Sequence, residues 1–553
     1  GFQKIEKENT VMKRKFAFLL ACLMMVSAAG CSTQEAASSS SSDASSSSTG
    51  SSASETAESS EETPAEPDKL TYWVELNANA SQLVQNFGDT ELAKEWQKRT
   101  NTEVEFQHPP VGQVTEAFNI LCASGDYPDI IEYPWINYAG GPQAAISNGI
   151  IIPLNDVFEQ YGPNITAVLE GDPDLEKMVK TDDGNFYVFP CFRSDSAEYV
   201  QASEGFVIRK DYLDQLGLEV PETIDEWYTV LTAFKNELNV EIPFCLRGAE
   251  HFDRVFQGAF DSYDDFYVED GVVKHGLLEP GRREFLTEMH KWYEEGLLDN
   301  DYLVVDKKTQ ASYVTTGRCA ATYAPGSGGI GTWLPAMQEV DPSVELVSAP
   351  PVTSVKGQNA KFSRVNPVYS GSTSCPAITT SCENIEAAAR LLDYGYSEEG
   401  HMLMNFGIEG VSYEMVDGYP KYTDLIMNNP DGIAFSQIVS LYSRSSTGPV
   451  VGDERVTEQS YSLPELQDAL KLWARTDMGQ YLLPPLSPTA EEASELAQIV
   501  NNVNTYKQEM EAKFASGAES LDNFDAIVEQ LKNLGLERAI EIQQKAYDNY
   551  LKR

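Results

Sequence analysis

Gly326-Ser-Gly328-Gly-Ile-Gly331 has the G-x-G-x-x-G spacing that lets a backbone approach a pyrophosphate. It follows the strand-like stretch Arg318 to Tyr323, and Glu345 stands where a ribose-binding acid would. Pro325 before the first glycine, Pro335 early in the would-be helix and Asp341-Pro342 soon after it all oppose the helix such a loop must open. The stretch therefore reads as a glycine-rich ligand loop. The five histidines, 108, 251, 275, 290 and 401, are scattered without zinc spacing. Asp261 to Gly271 is acid-rich but lacks the alternating ligands of a calcium loop; Phe266 to Lys274 reads instead as a hairpin turning at Asp270-Gly271, and Asp183-Gly184 as a similar turn before Phe186. No Walker loop or nucleophile elbow appears, and among 85 Asp and Glu a carboxylate pair chosen by eye carries no information. No catalytic residue, metal or cofactor is assigned.

Cys31 is the one residue whose neighbours specify a covalent modification. Met12 is followed by Lys13-Arg14-Lys15 and the apolar run Phe16 to Gly30, which is too short to span a bilayer and ends in small residues. Ala28-Ala29-Gly30-Cys31 resembles a bacterial lipobox, with Ala28 in the position usually held by Leu. Residues 1–30 are thus expected to be a leader whose true start is Met12, and Cys31 a lipidated N-terminus. From there to residue 69 the chain is Ser-rich and acidic, too poor in apolar surface to fold, and reads as a tether holding the rest on the outer face of the plasma membrane. The other cysteines, 122, 191, 245, 319, 375 and 382, mostly sit in apolar runs and read as buried thiols, with Cys375–Cys382 the one pairing worth testing.

The whole chain has 553 residues and a formal charge of -45, which repels nucleic acid; its 42% hydrophobic residues suffice for buried cores. Beyond Lys69, strand-like and helix-like segments alternate, which argues for an α/β architecture. Thr71 to Leu76, Thr102 to Gln107 and Tyr127 to Tyr133 read as strands; Thr90 to Thr100, Cys382 to Glu399 and Leu521 to Lys552 read as helices, the last broken near Gly535. Thr223-x-x-Glu226 is a capping box, followed by Trp227, Val230, Leu231 and Phe234 on one helical face.

Several segments together resemble family 1 of the extracellular solute-binding proteins, the lipoprotein receptors of ABC importers. They are Ala123-Ser-Gly-Asp-Tyr-Pro-Asp-Ile130, Gly149-Ile-Ile-Ile-Pro-Leu-Asn-Asp156, Asp183-Gly-Asn-Phe-Tyr-Val-Phe-Pro190, Ile208 to Gly217 with Val220 to Trp227, and Phe406-Gly-Ile-Glu-Gly-Val-Ser-Tyr413. Size and the last segment resemble the branch assigned to aldouronates and other complex oligosaccharides. The resemblance implies a two-lobed type II periplasmic-binding-protein fold, with a ligand cleft between the lobes and several chain crossovers. Crossings are expected near Phe186 to Phe206, Arg318 to Pro325 and Pro376 to Cys382. Lobe one would then be 70–192 plus 322–380, and lobe two 193–321 plus 381–553.

A sugar offers apolar C–H faces and a rim of hydroxyls, so its site needs flat aromatics and planar groups that make two hydrogen bonds. Where strands give way to loops, the candidates are Trp135 and Asn137, Arg193, Tyr323 with Ser327, Trp333, Glu409 with Tyr413, and Arg444. Core packing is the competing role for the aromatics, a pair with Asp195 for Arg193, and a turn hydrogen bond for Glu409. Arg193 or Arg444 would pair with the carboxylate of a uronate. The expectation is a monomeric, lipid-anchored receptor that captures an oligosaccharide and passes it to an ABC permease. A polysaccharide-active enzyme, an adhesin, or a receptor for peptides or other solutes remain alternatives.

Overall fold

The computed structural model describes residues 66–553 except Val111, 194–201, Ser462 and the side chain of Glu250. The leader, Cys31, nearly all of the tether and Asp195 lie outside the described residues. The first strand begins at Asp68, inside the expected tether, because Asp68 accepts from Asn384 and pairs with Arg390.

Two four-stranded mixed sheets organise the protein. In the first, Asp68–Trp73 lies parallel to both Thr102–Gln107 and Ile130–Tyr133, and Cys375–Ile378 closes one edge antiparallel to Ile130–Tyr133. Leu70 stands opposite Val104 and Tyr72 opposite Phe106, so one face is apolar and packs under the helices Glu91–Thr100 and Ile385–Asp393. In the second sheet the order is Leu346–Ala349, Glu204–Arg209, Cys319–Pro325, Ile242–Cys245. One face packs under Ile224–Asn236, whose capping box and buried Trp227, Val230, Leu231 and Phe234 are as the sequence predicts. The other face is covered by Ile330–Gln338 and Pro464–Trp473. Trp473 rests directly on Gly205, where a Cβ would sit 2.4 Å from the indole.

The expected chain crossings need correction. Cys319–Pro325 is paired on both sides and buried along almost its whole length, which makes it an interior strand of the second sheet and not a crossing. Leu346–Ala349 belongs to that sheet as well, whereas residues 385–406 and Val450–Val451 pack in the first core, so the boundaries 322–380 and 381–553 do not follow the sheets. The chain leaves the first sheet after Phe192, returns through Val365 to Val368, and leaves again after Val451. These three segments are laced together. Val450 and Val451 pair with Cys191 and Phe192, Arg193 N–H donates to the Val368 carbonyl at 2.9 Å, and Gly452 N–H donates to Phe192 at 2.7 Å.

The predicted helix Cys382 to Glu399 divides into Ile385–Asp393 and Glu398–Phe406, with a tight turn at Tyr394–Tyr396. Gly395 allows the turn to touch the chain: a Cβ there would lie 1.9 Å from the Pro449 carbonyl oxygen. The first hairpin forms, with Phe266–Glu269 pairing Val272–His275, whereas at Asp183-Gly184 the turn is closed by a single bridge between Lys180 and Phe186 and no strand ladder follows. The C-terminal helices are Phe524–Asn533 and Leu536–Tyr550, parted at Gly535, and before them runs the long helix Ala490–Ala515, which sequence reading missed. All six described cysteines are free, and Cys375 Sγ accepts from the Cys191 backbone at 3.3 Å instead of bonding Cys382.

Candidate functional site: the rims of the two sheets

Open α/β sheets bind ligands beyond the carboxyl ends of their parallel strands. In the first sheet those ends lead into Trp135–Asn137 and are flanked by Ser370 to Thr373; in the second they lead into Gly248–Arg254 and the Gly326 loop. The laced crossings lie between the two rims.

On the first rim Trp135 itself is 1% exposed, its ring edge-on to Phe118 at 5.4 Å, while Phe118 stacks on Tyr133 at 3.6 Å. Trp135 is a core residue, and it is Ile136 and Asn137 that reach the surface. Arg193 is half-buried at the crossing, and its Nε has no hydrogen-bond partner among the described residues. Arg444 is engaged: its guanidinium grips the Glu132 carboxylate with both nitrogens, Nη1 at 2.8 Å from Oε2. Tyr72 donates its hydroxyl to the same carboxylate at 2.7 Å. Burial and the Glu132 charge push the Tyr72 phenol well up, so it remains a donor. The expectation that Arg444 receives a ligand carboxylate is therefore corrected.

The second rim is more polar than the sequence suggested. Tyr323 and Trp333 are buried, Tyr323 edge-on between Phe206 and His251, so neither offers a face to a ligand. Ser327 is exposed in the glycine loop, its carbonyl accepting from Thr332 Oγ1 at 2.8 Å. Glu409 is exposed and Tyr413 buried against Phe406; both belong to a turn held by Ser412 Oγ, which donates to the Phe406 carbonyl and accepts from Ile408 N–H. That turn packs with Tyr422 and Ile438.

Four residues missed in the sequence define the second rim. Arg254 Nη1 meets Glu204 at 2.9 Å at the start of the crossing strand, and Arg364 approaches the same carboxylate at 3.8 Å. Gln257 is 3% exposed, its Oε1 without a partner among the described residues, and Lys507 binds Asp253 at 2.8 Å. Together with Asp264, Asn504 and Gln508 they line a polar cavity of about 260 Å³. Beneath it Arg282 donates to Asp253 at 2.7 Å and pairs with Glu511, tying the long helix to the sheet. Burial works against ionised Asp253, but the charges of Lys507 and Arg282 overcome it and hold its carboxyl low. Lys507 lies on the helix that carried no sequence signal, whereas Arg254 could have been found as a cation just past a buried strand. Among the described residues no group of three or more His, Cys, Asp or Glu is arranged to hold a metal ion.

Two lobes, laced crossings and paired polar rims are the anatomy of a binding protein. The chain belongs to the bacterial extracellular solute-binding proteins, matching that family over residues 83–402. It is 26% identical to the fructooligosaccharide ABC transporter substrate-binding protein FusA of Streptococcus pneumoniae, over 79% of this chain and 82% of that one. It is 23% identical to the polygalacturonan/rhamnogalacturonan-binding protein YtcQ of Bacillus subtilis, over 82% and 87%. Among solved structures it is similar to the alginate-binding protein AlgQ2, crystallised without calcium ion, with 26% identity, TM-score 0.67 and coverage of 88% and 98%.

Proposed function

We propose that this protein captures an oligosaccharide between its two sheets and delivers it to the permease of an ABC importer. In this reading lobe one is built from 68–193 and 368–451, and lobe two from 202–367 with the helices after residue 463. The observation that carries it is the pair of rims: planar, two-point hydrogen-bonding groups (Asn137 and Arg193 on one side; Arg254, Gln257, Arg364 and Asn504 on the other) at the strand ends, separated by crossings that can bend. The relatives support a sugar over a peptide, since FusA and YtcQ are named for carbohydrate ligands. Capture needs differential affinity for the closed state and no covalent step, so the protein acts as a receptor and not an enzyme. It works as a monomer, tied by lipidated Cys31 and its acidic tether to the outer face of the plasma membrane. No helix among the described residues is long and apolar enough to cross a membrane.

The test is a calorimetric screen against neutral and uronate-bearing xylan, pectin and fructan oligomers, with small-angle scattering on each mixture. One class of oligomer should bind and reduce the radius of gyration. Binding without compaction, or release of shorter sugars, would overturn the reading. Mass spectrometry of the membrane fraction should find Cys31 acylated.

A further inference from the structure

Besides the crossings, a pair of helices reaches from one lobe to the other. Ala490–Ala515 has 26 residues and so spans about 39 Å. Its latter half is built into lobe two: Val503, Met510 and Phe514 are buried, Lys507 pairs with Asp253, and Glu511 with Arg282. Its first turn instead lies against Gly140 of lobe one, where a Cβ would sit 2.6 Å from that of Ala490. Leu536–Tyr550 runs back alongside it. Leu536 and Ala539 pack with Ile499 and Val503, Arg538 pairs with Glu495 at 3.1 Å, and Lys545 pairs with Glu492 at 2.7 Å. Gln544 Oε1 fastens this helix to the hairpin of lobe two, accepting from Val273 N–H at 2.7 Å. The two helices therefore move with lobe two.

Their grip on lobe one is of another kind. Ala546 and Tyr550 meet Met178 beside Leu483 and Leu486, and the Arg553 side chain, 1% exposed, closes the joint. Arg553 Nε and Nη2 donate to Asp182 Oδ1 at 3.0 and 2.6 Å, and Nη1 donates to the Lys177 carbonyl at 3.0 Å. Asp182 is held for this on a tight turn, in which Gly184 N–H donates to the Thr181 carbonyl at 2.9 Å. One ion pair and a small apolar contact thus hold the lobe-one end, against buried ion pairs and a long apolar stripe at the other. Relative motion of the lobes opens the weaker end first. The joint shares no residue with the laced crossings Cys191–Phe192 and Val450–Val451.

We propose that Arg553 and Asp182 form a latch that sets the angle between the lobes: while it is closed the crossings are held at one bend, and any change of bend has to open it. The inference rests on the two-lobe reading above and adds the element that fixes the resting angle. The stronger the latch, the smaller the share of molecules free to take another angle, and the more differential affinity a ligand needs to shift them.

Hydrogen exchange of the sugar-free protein tests this at the amides of Arg193 and Gly452, whose bonds lace the crossings. Arg553→Met, which keeps the stem over Tyr550, and Asp182→Ala, on the turn, should each speed exchange there by threefold or more, while Ile224–Asn236 in the core of lobe two keeps its rate. The double variant should match the singles, since the same bond is lost in all three. Either single variant leaving the crossings at the original rate overturns the latch, as does acceleration confined to residues 173–186 and 546–553, the mark of a local ion pair. Acceleration spread equally over Ile224–Asn236 marks general destabilisation and overturns it too. No sugar enters the measurement, so failure here leaves capture between the lobes standing, and a failed sugar screen leaves the latch standing.

Discussion

Arg444 reaches across 312 residues of sequence to clasp Glu132 with two nitrogens, at the end of a strand where the Glu132 carboxylate is wholly shut off from water. The pair anchors the segment entering the third crossing to the first sheet. Its worth lies in being complete, because removing one partner leaves a buried charge alone.

Glu132→Ala or Arg444→Ala should therefore lower stability by about 3–5 kcal/mol, read from urea denaturation. The double variant Glu132→Leu/Arg444→Met should recover part of that loss. A loss in the double variant as large as the sum of the two single losses would show that the charges are not coupled.

Arg193 keeps a buried Nε at the crossing, without a partner among the described residues. Arg193→Gln should weaken binding of uronate-bearing oligomers by roughly tenfold, about 1.4 kcal/mol, and of neutral ones by much less. Titration calorimetry with matched neutral and acidic ligands decides it.

Acid should loosen the second lobe. Burial, reinforced by neighbouring arginines and Lys507, lowers both His251 and His275 to about 3 from an ordinary 6.5. Between those values the unfolded chain binds protons that the folded chain refuses, so stability falls as pH drops from about 6.5 toward 3 and is flat above. At about pH 5 the two together should cost roughly 2–4 kcal/mol. His251→Phe, at a site where neither ring nitrogen has a partner among the described residues, should roughly halve the dependence measured by urea unfolding at several pH values.

Gly205→Ala forces a methyl into the Trp473 indole and should cost about 1–3 kcal/mol, visible as a lower melting temperature. Adding Trp473→Leu should relieve most of the clash. No relief would mean that the strand itself rejects the methyl.

Local signals in the sequence translated well. The Thr223 capping box, the Asp270-Gly271 hairpin and the break at Gly535 each depend on residues a few positions apart, and each formed. The solute-binding family was legible for the same reason, since its segments are short and contiguous. What failed depended on distance. Trp135, Tyr323 and Trp333 are the aromatics expected beside strands, yet adjacent layers bury them, and no local pattern separates a buried ring from an offered one. Cys319–Pro325 looked like a crossing until its two partners appeared, one earlier in the chain by more than a hundred residues. The helix Ala490–Ala515 hides a narrow apolar stripe (Ile499, Val503, Met510, Phe514) among acids and amides, so the rim it builds with Lys507 had no signal.

The lacing at Phe192, Arg193, Val368 and Gly452 also has a mechanical reading. A lone strand between two bodies is a swivel, free to twist as well as fold. Three segments joined backbone to backbone behave like a leaf spring: stiff to torsion and shear, compliant to flexing across their width. Such a joint would confine the two halves to one path of approach, so that each closure returns the same outer surface to whatever must read it.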